Sequence, residues 1–239
     1  MARTTAPIRW AAELPVLALL WGANLAVFTA DLMMNALYPA LASRFGVPLE
    51  TVVLLTTPRM LAQLGVLFLG ALSDRVGRAA ILTAGLVLVA LAGWGGALAP
   101  GLGIMILAQG AIGLGFATIL ACVKALVGDR YPYEIRGRLL SLIQLALPLA
   151  LIAVVPAVIA LAGQFTVVAP FVGLGSAAAL LALVAAWRLP RAMRVAPACP
   201  APLIAQPQRW VRPEVLGVLA VCLLMALVPT SIFGFLAGW

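Results

Sequence analysis

The chain has 239 residues, 65% of them hydrophobic and only 9% charged, with a mean hydropathy of +1.17. So few charges cannot cover a soluble fold with this much apolar surface, which excludes a water-soluble globular protein. A net charge of +8 would suit a nucleic-acid binder, but the basic residues gather at turns between apolar runs, where orientation in a membrane requires them. Three cysteines in no ligand spacing and no histidine argue against zinc and redox chemistry, so no metal and no cofactor are expected.

Charges and helix breakers divide the chain into seven apolar spans. They run from about Glu13 to Tyr38, Thr51 to Leu72, Ala80 to Ala97, Ile104 to Val127, Leu139 to Leu161, Thr166 to Trp187 and Val215 to Leu236. Each is long enough to cross ~30 Å of hydrocarbon at ~1.5 Å per residue, and none alternates as a barrel strand does. Two uncharged stretches are too long for one crossing. Breaks at Ala99-Pro100-Gly101-Leu102-Gly103 and at Ala162-Gly163-Gln164 split them into helix pairs. The first span carries Asp31 and is followed by others, so it reads as an uncleaved helix rather than a signal peptide.

Of the fifteen lysines and arginines, all but Arg44 and Arg59 fall on one side if the amino terminus is cytoplasmic. The positive-inside rule then sets the orientation, with the chain in the inner (plasma) membrane of a bacterium. Four regions follow: an amino terminus (1–12), a six-span domain (13–187), a linker rich in arginine and proline (188–212), and the first helix of an incomplete second domain (213–239). The arginines around the linker could also attract anionic lipid, although the positive-inside rule already accounts for them.

Polar groups inside the spans are the candidates for handling a substrate or a proton. Asn24, Asp31 and Asn35 recur at spacings of seven and four and share one helical face. Arg59 in the second span lies at a depth similar to Asp31, and the two could pair. Gln63 follows Arg59 by one turn and Thr56 precedes it, continuing a second polar stripe. Two readings of Asp31 and Arg59 stand side by side: a static ion pair that fixes the first two helices, or part of a transport pathway. Gln109 and Gln144 read as helix-packing hydrogen bonds or as ligand contacts, and Gly110, Gly113 and Gly115 as positions for close helix approach.

The turn between the second and third spans reads GALSDRVGR, Gly70 to Arg78. It resembles the GxLxDRxGR loop between helices 2 and 3 of major facilitator superfamily carriers, matching at Gly70, Leu72, Asp74, Arg75, Gly77 and Arg78. The DRYPYEIRGR segment, Asp129 to Arg138, resembles the family's loop after helix 4. Gln109-Gly110 resembles part of the RxxQG pattern, but Ile106 stands where that pattern has arginine, so a proton-transfer role there does not carry over. The glycine-rich antiporter motif of helix 5 is also absent, although Pro148 and Pro156 are present.

The resemblance implies an all-α membrane protein: a six-helix bundle of two inverted three-helix repeats plus a seventh transmembrane helix, with helices 8 to 12 missing. It further implies secondary transport of a small solute by alternating access, proton-coupled efflux among the options. Asp74 would act as a conformational latch, and Arg78 would pair near the end of helix 4, where Asp129 is available. The alternative is a truncated, non-transporting protein or a half-carrier that needs a complementary half or a second copy. No phosphate-binding GxxxxGK[ST] loop and no nucleophile and base pair suggest an enzyme. The implied partners are a small-molecule substrate and the lipid bilayer, with no nucleic acid.

Overall fold

A long first helix, α1 (Trp10–Phe45), runs the full length of the bundle and carries Pro15 and Pro39 within it. The structure is a computed structural model that describes residues 10–66, 69, 72, 73 and 76–192. The chain divides into two compact units, Met1–Ala196 and Pro197–Trp239, and all the described residues belong to the first. The seventh span and most of the linker lie outside them.

Among the described residues the structure is helical throughout. After α1 come two short helices, α2 (Leu49–Val53) and α3 (Thr56–Gln63), then α4 (Arg78–Leu98) and α5 (Leu102–Arg130). The fifth crossing is built from α6 (Tyr133–Gln144), α7 (Ala146–Leu149), a π turn (Ala150–Val154) and α8 (Val155–Gln164). The sixth is α9 (Val168–Ala192). Five of these segments are long and apolar enough to cross a membrane, counting α6 to α8 as one.

The second span differs from the continuous helix expected over Thr51 to Leu72. Pro58 has no N–H to donate to the Leu54 carbonyl, and the Thr57 N–H takes that carbonyl instead at 3.0 Å. The backbone tightens through Leu54 and Leu55 and again at Leu64 and Gly65, where bonds close three residues back. In the fifth crossing the π turn lies directly before Pro156, and its wider loop accommodates a ring that would otherwise clash with the preceding turn. The expected break at Ala162-Gly163-Gln164 is helical. The chain reverses three residues later, at Phe165 to Val167, because a lone exposed glycine costs a helix only about 1 kcal/mol and does not end it.

Packing follows the small residues. In lipid the apolar surface gains little from leaving its surroundings, so helices associate through close van der Waals contact. α4 lies against both α5 and α9, α3 lies along α5, and α1 crosses α5, α9 and the broken fifth segment. A Cβ on Gly93 would sit 2.7 Å from the Gly175 backbone, so α4 and α9 meet backbone to backbone at that point. Gly113 and Gly115 on α5 provide similar close approaches. Gly110, expected to do the same, has nothing within 4 Å of a Cβ placed on it among the described residues. Leu20, Met33, Met34, Leu37, Leu86, Ile112 and Phe171 fill the core between these helices.

Candidate functional site

Asp31 and Arg59 meet between α1 and α3. Arg59 Nη1 donates to the Asp31 backbone carbonyl at 2.9 Å, and Nε lies 3.3 Å from Asp31 Oδ1 without the alignment of a hydrogen bond. The Arg59 side chain is 5% exposed and that of Asp31 28%, so the acid has more open surface beside it than the base. Gly113 sets this geometry: a side chain there would overlap the Arg59 carbonyl, so α3 reaches its position only because α5 has no Cβ at that point. Above the pair, the Tyr38 hydroxyl bonds the Thr56 hydroxyl and ties the same two helices.

The single polar face of α1 serves different neighbours. Asn24 is fully buried and turns away from the pair. Its Nδ2 donates to the Ile143 carbonyl at 3.2 Å and to Gln144 Oε1 at 2.9 Å, so Gln144 acts as a packing partner beside the break in the fifth crossing. Asn35 is exposed and Gln63 half-buried. Gln109 is 1% exposed on α5, one turn from Gly113, and its Nε2 has no hydrogen-bond partner among the described residues; neither has Asn24 Oδ1. Two buried amides with spare capacity are costly in so apolar a bundle, at roughly 1–3 kcal/mol each unless water or a ligand meets them.

At one end of the bundle the charges are paired. Arg78 opens α4 and lies 2.6 Å from Asp129 in the last turn of α5. Gly77 precedes it at φ +104°, a conformation that a residue with a side chain adopts only under strain, which accounts for glycine at this place in the loop. Gly70, Asp74 and Arg75 lie outside the described residues.

The next residue, Arg130, holds Glu13 through two hydrogen bonds of 2.6 and 2.8 Å, and the Tyr131 hydroxyl donates to the same carboxylate at 2.8 Å. Burial, and then the bond to Glu13, push the Tyr131 phenol above its ordinary range. Arg136 Nε closes the group by donating to the Tyr131 carbonyl at 2.7 Å. Sequence reading placed Glu13 at a span end and Arg130 at the same membrane edge without joining them. The available signal was an acid in the first turn of one helix and a base in the last turn of another, each favoured by the local helix dipole. At the opposite end Arg44 donates to the Ala97 and Ala99 carbonyls at 3.4 and 3.2 Å, satisfying the end of α4.

Apolar helices of membrane length packed through glycines, with charges held at their ends, make this an integral membrane protein. The chain belongs to the Major Facilitator Superfamily, whose family model matches residues 20–239. Solved structures share the fold. A mutant peptide transporter POT aligns with a TM-score of 0.67 at 19% identity, covering 91% of this chain and 47% of that one. Peptide transporter POT in complex with sulfate aligns at 0.66 and 19%, covering 89% and 46%, and a mutant form in complex with alafosfalin at 0.66 and 18%, covering 88% and 46%. The chain therefore spans less than half the length of these structures. No curated protein matches it.

Proposed function

We propose that this chain contributes one half of a secondary transporter that moves a small solute by alternating access, with the Asp31–Arg59 pair and the buried amides of Asn24 and Gln109 along the pathway. The observation that carries this reading is the pair itself, an arginine 5% exposed in the interior of a bundle of this family. Intramembrane charges are expensive and mark pathways by default. The pair is also asymmetric: the carboxylate is the more exposed member, which suits a group that takes up and releases a proton while the guanidinium stays charged. Proton-coupled efflux follows as the working mode, with the amino terminus in the cytoplasm of a bacterial cell and Asp74 as the latch of the loop.

The test is dye movement in inverted membrane vesicles carrying the full chain together with a complementary second half of the family. An imposed proton gradient should drive accumulation of ethidium or of a fluorescent dipeptide in the parent, and Asp31→Asn should abolish the dependence on the gradient. Gradient-driven accumulation that persists in Asp31→Asn would remove Asp31 from coupling and leave the pair as an architectural bolt between α1 and α3.

A further inference from the structure

On the outer face of the bundle a groove of 290 Å³ runs between α4 and α9, walled by Val87, Leu91 and Trp94 on one side and by Ala179, Ala182 and Leu183 on the other. A second hollow of 440 Å³ adjoins it at Leu183 and Ala186 and ends at Trp187. The Arg188 guanidinium stands 4.9 Å over the Trp187 ring, exposed, at the same end. We propose that this groove binds one anionic phospholipid, an acyl chain lying between α4 and α9 and the phosphate meeting Arg188.

Three features select that occupant. The wall is almost wholly apolar, and its one hydroxyl, that of Thr83, donates to the Ala79 carbonyl at 2.8 Å. From Thr83 to Trp94 the groove rises about 16 Å along α4, roughly half of a ~30 Å hydrocarbon core, which is the depth of a single leaflet. The charge then lies where a headgroup would be. A guanidinium stacked on an indole is held with its donors free to fork onto a phosphate, and tryptophan favours the interfacial level. A second copy of the chain fits less well. A two-fold contact would set concave groove against concave groove and bring the two Arg188 side chains together.

Native mass spectrometry of the full chain, offered chain-matched phosphatidylglycerol and phosphatidylcholine, reads the proposal directly. The parent should retain a single phosphatidylglycerol in preference to phosphatidylcholine. Arg188→Gln, a surface change, should lower that preference about fivefold, the worth of one arginine at an anionic membrane surface. Ala186→Phe, which places a ring in the groove, should lose both lipids, while Leu180→Phe, on the exposed face outside the groove, should lose neither. Equal retention of the two lipids by the parent, an unchanged preference in Arg188→Gln, or full retention in Ala186→Phe overturns it. A dimer that dissociates in Ala186→Phe would also overturn it, because the occupant would then be a second copy.

Discussion

Removing Asp31 or Arg59 alone strands a charge in the bundle, at a cost of about 3 kcal/mol or more, whereas removing both leaves a neutral contact. In a cycle of Asp31→Asn, Arg59→Gln and the double variant, each single change should therefore reduce folded yield more than the double does. Additive losses would show that the two side chains, although 3.3 Å apart, do not support each other. The neighbouring glycine gives a second test. Gly113→Val forces a side chain onto the Arg59 carbonyl and should lower the melting temperature of the purified protein, overpacking costing about 1–3 kcal/mol, whereas Gly110→Ala should leave it unchanged. Equal effects of the two would mean that α3 shifts freely along α5.

Helices α1 and α5 are joined most firmly at their ends. Glu13 in the first turn of α1 receives two bonds from Arg130 and one from Tyr131, so hydrogen exchange in the first turns of α1 should quicken in Arg130→Gln. Tyr131→Phe removes a single neutral donor, worth about 0.5–1.5 kcal/mol, and should change exchange less. Identical exchange in the parent and Arg130→Gln would show that core packing alone holds the end of α1. The fifth crossing contrasts with this. It is the most apolar segment, with a mean hydropathy of 2.7, yet only 17% of that window is buried, against 56% for α1, α4 and α5. Its two prolines and π turn sit in a helix with few neighbours among the described residues, and Asn24 is a polar tether that α1 extends to it.

For the molecule as a whole, the asymmetry of basic residues predicts a cytoplasmic amino terminus and linker. In a chain stripped of Cys122, Cys199 and Cys222, an impermeant thiol reagent added outside intact cells should label Phe45→Cys and spare Pro200→Cys. The reverse pattern would invert the orientation, and with it the side on which the Arg78–Asp129 and Glu13–Arg130 pairs lie. Position 200 falls outside the described residues, so this experiment also probes a region for which sequence is the only guide.

Hydropathy was enough for the membrane class and for five of the seven spans, because lipid imposes a long apolar run on each helix, and the Gly70 to Arg78 loop, with glycines and charges at defined spacings, pointed to the family. The depth estimate that placed Asp31 near Arg59 also came from counting residues, since helical rise is nearly constant. Which neighbour each polar residue meets could not be counted. Asn24, Asp31 and Asn35 share one face in sequence, yet one binds the fifth crossing, one meets α3 and one is exposed, because the face is wide enough to touch two helices whose positions depend on glycines elsewhere. The same holds for Glu13 and Arg130, 117 positions apart, and for the interruptions in the second span. A proline shows that a bond is lost, but only the folded packing determines which carbonyl is satisfied by another donor and where the helix turns.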